Sequence, residues 1–467
     1  MRRNTLIFSM LTLLTPMLLS ACGGGDAQDV ETAANPPAAQ TVDTAQAGTA
    51  RTDAEAEARN SGNAESAGET GNALDLDGFE NVLRGEIENE IRSGFVYAVM
   101  RDGAVVARGA FGAADRENEI PMTAQTRFRI ASMTKPITTT AILMLADDGA
   151  LKLDDPVSKF IPELGDLEVA VSRDADASGA IPTEPLERPI TIRHLMTHMA
   201  GLGYVFDQQT ALGARHLEFN LYAAEGALAD RVKLLANAPL YAQPGEQWIY
   251  SYATDALGRV VEVASGKSLE DFLSERLFAP LGMDDTEFAV DTSDLDDVAV
   301  VYAHNDDGVL IRYEGASLGE NPNTNGAGWQ SGGGGLISTV DDYLAYCQML
   351  INGGTGPDGA QLLSKKRIDL MFESQVPPSA RPDEWRDHQM SFGFGGWVRL
   401  AQPEKPGNSE TTGHFGWGGY YDTSFVISRN DKLAYVLLAQ REPGPNDKPS
   451  KAPDLIRALV MSLNQDV

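Results

Sequence analysis

Ser132 and Lys135 stand three residues apart in Ser132-Met133-Thr134-Lys135. On a helix that spacing puts a hydroxyl and an ammonium on one face, within hydrogen-bond reach. A serine hydroxyl is a weak nucleophile near neutral pH, and a lysine takes its proton once burial and nearby cations depress the amine's pKa. The chemistry on offer is acyl transfer through a covalent serine ester, with a backbone N–H at the helix start to receive the oxyanion. A second serine, Ser317, lies in Gly315-Ala316-Ser317-Leu318-Gly319, which fits the G-x-S-x-G nucleophile elbow. An elbow needs a strand-to-helix turn, whereas Glu320 to Gly326 reads as a turn-rich loop, so Ser317 is set aside. His194 and His198 are placed to share a helical face. No H-E-x-x-H motif or third ligand accompanies them, and neither a metal nor an organic cofactor is expected.

The nucleophile needs a helix behind it. Ile137, Ala141, Met144 and Leu145 recur at helical spacing, Pro136 fits a first turn, and Gly149 can end the run. Upstream, Phe79, Leu83, Ile87 and Ile91 predict an amphipathic helix closed by Gly94. Phe95 to Met100 and Ala104 to Phe111 predict a hairpin turned at Asp102-Gly103. Gly165 to Arg188 reads as a polar surface loop. The glycine run Gly332 to Gly335 lacks the Gly-Lys-Ser/Thr of a phosphate cradle, so it predicts close backbone packing. Gly393 to Gln440 alternates strand-like segments with turns, and Pro453 to Leu463 predicts a last helix.

The wider wording is more specific than Ser132 and Lys135 alone. Phe128-Arg129-Ile130-Ala131-Ser132-Met133-Thr134-Lys135, then Leu151-Lys152-Leu153-Asp154-Asp155-Pro156-Val157, resembles the class C β-lactamase and penicillin-recognising serine hydrolase family. Thr191 to Leu202 and Gly332 to Leu344 resemble it as well, and there the family's histidine, at His198, is structural. The resemblance implies an α+β, β-lactamase/transpeptidase-like fold over 76–467: a central antiparallel sheet flanked by helices, with a mainly helical part inserted at about 155–330. It also implies a tyrosine acting as general base and then acid, for which Tyr250 in Trp248-Ile249-Tyr250-Ser251-Tyr252 is the candidate. The family's Tyr-x-Asn becomes Tyr-x-Tyr here, so Tyr252 stands where an asparagine would bind the amide of a β-lactam. Phe415-Gly416-Trp417-Gly418-Gly419 places Trp417 at the Lys or His position of the family's last motif, and Trp-Gly-Gly is similar to serine carboxylesterases of this fold. Trp417, Gly418 and Gly419 would then line the substrate site. The oxyanion would be bound by the N–H groups of Ser132 and Tyr420. His414 is a candidate substitute base, with a structural role expected. Three readings stay open: an esterase, a β-lactamase or D-amino-acid peptidase, and a catalytically idle binding protein. The esterase fits best, since Tyr252 and Trp417 both remove polar recognition of β-lactams, and a small-molecule ester or amide is the expected partner.

A chain of 467 residues is long enough for a large buried core. Its formal charge of −30 would repel phosphate and argues against nucleic acid as a partner. Arg2 and Arg3 precede an apolar run from Leu6 to Leu19, which reads as a signal peptide over 1–21. Leu19-Ser20-Ala21-Cys22 resembles the bacterial lipobox, making Cys22 a lipidation site and the only membrane attachment. Residues 22–75, rich in Ala, Gly, Thr, Asp and Glu, read as a disordered acidic linker reaching about 40 Å. With Gly23 after Cys22, the expected location is the outer membrane, facing the periplasm. Cys347 then has no disulfide partner and reads as a buried structural thiol in a helix.

Overall fold

The structure, a computed structural model, describes residues 76–462 apart from 208, 220, 223–225, 291, 314–328, 402–410 and 445–449. Cys22, the leader and linker over 1–75, and Ser317 lie outside the described residues. Helix α1 (Leu76–Glu88) buries Phe79 and Leu83 as its periodicity requires. Gly94 does not close it. That glycine opens strand β1 (Gly94–Arg101), where a Cβ would fall 2.5 Å from the Phe111 carbonyl oxygen, so only glycine fits. Strand β2 (Ala104–Asp115) follows through Asp102 (φ 50°) and Gly103 (φ 81°), the doubly left-handed pair of a type I′ turn. Strand β3 (Ile120–Pro121) completes that edge.

Helix α2 (Thr134–Asp147) follows Ser132, and helices α3 (Ala253–Ser265) and α4 (Val340–Ile351) lie further along the chain. Five strands come next: β4 (Met390–Phe392), β5 (Trp397–Leu400), β6 (Thr411–Gly419), β7 (Thr423–Ser428) and β8 (Leu433–Leu438). Helix α5 (Ala452–Ser462) ends the described chain. The strands form one sheet in the order β4-β5-β6-β7-β8-β1-β2-β3, with antiparallel neighbours throughout. Strand β1 therefore lies against β8, with Val96 opposite Leu438.

Alternation along the strands sorts the side chains between the faces. Val96, Ala98 and Met100 join Phe425, Ile427, Ala434 and Val436 in the core shared with α2 and α4. On the opposite face, the Tyr97 ring meets Phe79 of α1 at 5.0 Å. Every residue of α2 from Thr134 to Ala146 is buried, as expected of a helix packed on all sides. Cys347 on α4 is buried, and its burial pushes the thiol pKa well above its ordinary value, which fits a structural thiol. Among the described residues, no helix is long and apolar enough to cross a membrane.

Candidate active site

Ser132 sits in a single 3₁₀ turn, Ala131–Met133, that runs directly into α2. Ala131, immediately before it, holds a left-handed φ of 44°, a conformation that costs a non-glycine residue about 1–2 kcal/mol. The surroundings keep it there. The Ile130 N–H donates to Leu336 O at 3.0 Å, the Thr423 hydroxyl donates to Ile130 O at 3.2 Å, and the Tyr343 hydroxyl donates to Met133 O at 2.9 Å. The strained bend turns Ser132 away from the packed face, so its side chain is half-buried while Ala131 and Met133 are fully buried.

Lys135 is 1% exposed, and its Nζ donates to Ser132 Oγ at 3.2 Å and to the Gly333 carbonyl at 2.6 Å. The Thr138 hydroxyl donates to Gly332 O at 2.8 Å, and Thr134 Oγ1 accepts the Leu336 N–H at 3.2 Å. One face of α2 thus holds the glycine run by its backbone. Glycine is required there, because a Cβ at Gly332 would lie 2.6 Å from Thr254 O and one at Gly333 would lie 2.5 Å from an Asp255 carboxylate oxygen.

Tyr250 approaches from another part of the chain, and its hydroxyl donates to Ser132 Oγ at 2.7 Å. Its position follows from backbone pairing with the segment after His198. The Ile249 N–H donates to His198 O at 2.9 Å and the Tyr252 N–H to Gly203 O at 3.2 Å, bracketing Tyr250. Gly201 (φ 79°) admits the neighbouring segment at Leu240–Ala242, since a Cβ there would meet Ala242 O at 2.2 Å.

Aromatic rings surround the three groups. The Trp417 centroid lies 5.7 Å from that of Tyr250, Trp248 lies 6.1 Å from Tyr250, and Tyr204 lies 5.5 Å from Tyr250. Lys135 Nζ stands 4.7 Å from the Tyr250 centroid and 5.6 Å from that of Tyr204. Trp417 is half-buried on β6, with Phe425 as its cross-strand partner. Gly418 and Gly419 are buried at the strand's end, and a Cβ at Gly419 would lie 2.3 Å from Ile130 O. That contact brings the backbone before Tyr420 against the backbone before Ser132. The Tyr420 side chain turns aside, its hydroxyl donating to Glu442 at 2.9 Å.

One expected site residue takes a different place. Tyr252 is 0% exposed, with its ring 4.3 Å from that of Tyr204, so it is packed in the interior and does not line the site. Tyr252 caps α3 and is driven under Tyr204 by packing. His414 is also displaced from the chemistry. It lies three residues before Trp417 on a regularly paired strand, hence on the opposite face, and its ring pairs with Thr412 Oγ1 at 2.7 Å. His194 and His198 do different jobs. His194 completes a capping box with Thr191, while His198 is buried against Tyr250 at 4.8 Å and pairs with Ser251 Oγ at 3.2 Å.

Burial holds His198 well below the ordinary histidine pKa, aided by the Lys135 charge. Burial also brings His216 and His414 down to about 4. These histidines bind protons more readily in the unfolded chain, so their contribution to stability is full above about pH 6.5 and is lost as pH falls towards about 4. The thermal midpoint is expected to drop by roughly 5 °C between pH 7 and pH 4.5. A flat midpoint in calorimetry over that range would contradict the assignment of neutral buried rings.

An antiparallel sheet flanked by helices, with a serine, a lysine and a tyrosine meeting beside its β6 strand, defines a β-lactamase/transpeptidase-like serine hydrolase. Residues 79–459 match the Beta-lactamase family, and the chain belongs to it. Esterase EstB of Burkholderia gladioli is 33% identical over 74% of this chain and 85% of its own length. Lovastatin esterase of Penicillium rubens is 31% identical over 67% of this chain and 78% of its own. Among solved structures, EstCE1, described as a hydrolase with promiscuous acyltransferase activity, superposes with a TM-score of 0.65. It is 27% identical, covering 82% of this chain and 98% of that one. The protein is a serine hydrolase of the carboxylesterase-like kind.

Proposed function

We propose that this enzyme hydrolyses small neutral carboxylic esters through an acyl-enzyme on Ser132. The observation that carries the reading is the convergence of Lys135 Nζ (3.2 Å) and the Tyr250 hydroxyl (2.7 Å) on Ser132 Oγ, beside an uncharged Trp417. In the first half-reaction the Lys135–Tyr250 pair takes the Ser132 proton as Oγ attacks the ester carbonyl carbon. The oxyanion accepts hydrogen bonds from the Ser132 and Tyr420 N–H groups. Collapse breaks the ester C–O bond, and the leaving alkoxide takes a proton from Tyr250 and departs as the alcohol. Water, deprotonated by the same pair, then attacks the acyl carbon and releases the acid, and Ser132 regains its proton.

Specificity for neutral esters is supported by the walls. Trp417 and Trp248 offer apolar faces, and a tryptophan where a cation would stand forms no ion pair with the carboxylate of a β-lactam or a D-alanyl peptide. Two relatives carry esterase names, and the acyltransferase activity described for EstCE1 favours a second reading, transfer of the acyl group to an alcohol in place of water. From the leader we further propose that Cys22 is lipidated and tethers the domain to the outer membrane; incorporation of labelled palmitate by wild type but not by Cys22→Ala checks this. The test of function compares kcat/KM of the full chain for short p-nitrophenyl esters with that for a chromogenic cephalosporin. The ester is expected to be preferred by on the order of 10²-fold or more. Equal or faster cleavage of the cephalosporin would return the enzyme to the β-lactamases.

A further inference from the structure

Asp255 is a carboxylate that the ester chemistry above does not use, and it is 0% exposed. It stands in the first turn of α3. Its Oδ1 accepts the Ser331 hydroxyl at 2.6 Å and the Gly333 N–H at 3.1 Å, while Oδ2 has no hydrogen-bond partner. The next carbonyl in that turn, that of Gly333, receives the Lys135 ammonium at 2.6 Å. Carboxylate, turn and lysine are therefore in series. A charge so buried is costly, and an asparagine would accept the same two hydrogen bonds through its carbonyl oxygen without that cost. Burial raises the Asp255 carboxyl above the ordinary carboxylate range, so an ionisable side chain at this position needs a reason.

The groups facing Asp255 supply one. They are Lys135 from α2, Arg231 from the helix Leu228–Lys233, and the phenols of Tyr204, Tyr222 and Tyr252. Lys135 is the cation whose charge opposes the desolvation of the carboxylate, and it is also the group bonded to Ser132. We infer that Asp255 is a positioning residue for Lys135: it fixes the Gly333 carbonyl that holds the ammonium, and its charge sets the proton affinity of the Lys135–Tyr250 pair. The inference rests on the esterase reading, because the protons concerned are those of acylation. A nearby negative charge favours the protonated state of such a pair, whichever member carries the proton, so removing the charge should move the acid limb of the rate profile down.

The experiment is the pH profile of kcat/KM for a p-nitrophenyl ester, measured with the full chain as wild type, Asp255→Asn and Ser132→Ala. In Asp255→Asn the acid limb is expected to move down by about one pH unit, with KM within about twofold of wild type because the residue touches no substrate. Ser331→Ala forms a second arm, removing one donor from the same oxygen without altering α3. Its kcat is expected to fall by about 3–10-fold at unchanged KM, through looser placement of Gly333. An unmoved acid limb in folded Asp255→Asn would overturn the inference. If that variant does not fold, a wild-type kcat in Ser331→Ala would overturn it instead. Turnover surviving in Ser132→Ala would sink the esterase reading together with the inference, whereas turnover lost there with the acid limb unmoved in Asp255→Asn would sink the inference alone.

Discussion

Replacing Ser132 with alanine is expected to remove ester turnover by on the order of 10⁶-fold, the scale seen when a hydrolase loses the nucleophile of a group that acts as a unit. The loss should appear in kcat. The fold should survive, because Ser132 Oγ contributes only the acceptor for Tyr250 and Lys135, and Lys135 keeps its 2.6 Å bond to Gly333 O. A steady-state assay with a p-nitrophenyl ester and a thermal melt together make the check. Ser317→Ala is the matched control, expected to be nearly silent. If Ser132→Ala kept substantial turnover while Ser317→Ala lost it, the nucleophile would lie in the G-x-S-x-G segment and the mechanism above would fail.

Replacing Tyr250 with phenylalanine tests the proton chemistry apart from the packing. The ring is held by His198 at 4.8 Å, Tyr204 at 5.5 Å and Trp417 at 5.7 Å, all contacts that phenylalanine retains. Only the hydroxyl on Ser132 is lost, so KM should change little. General acid–base catalysis contributes about 10²–10⁴-fold, and kcat is expected to fall within that range. The deficit should shrink for esters whose alcohols leave readily, since Tyr250 is assigned the protonation of the leaving alkoxide. A kcat within threefold of wild type for a poor leaving group would transfer both roles to Lys135.

Where the residues lie close in the chain, the amino-acid sequence by itself determined the result. The Ser132–Lys135 pair depends on one helical turn, the β1–β2 hairpin on the left-handed tolerance of Asp102 and Gly103, and α4 on a capping threonine and a buried stripe that includes Cys347. The glycine run predicted close packing for a local reason too, the absence of Cβ atoms. Resemblance to a known family carried the reading further, to Tyr250 and Trp417, across distances that no periodicity spans.

What only the tertiary structure decided are contacts between segments whose separation along the chain has no bearing on their energy. Tyr250 reaches Ser132 across 118 residues because backbone bonds to His198 and Gly203 hold it there, not because of any preference of its own segment. Tyr252 is withdrawn from the site for a packing reason: at the start of α3 it points inward, and its ring packs on that of Tyr204. Asp255 was in plain view beside Tyr250, yet nothing local marks an aspartate in a first helical turn as more than a favourable dipole partner. Its weight comes from Gly333 and Lys135, which burial sets against it. The left-handed Ala131 is of the same kind, a strain that the chain sustains only because Leu336, Thr423 and Tyr343 enclose its turn.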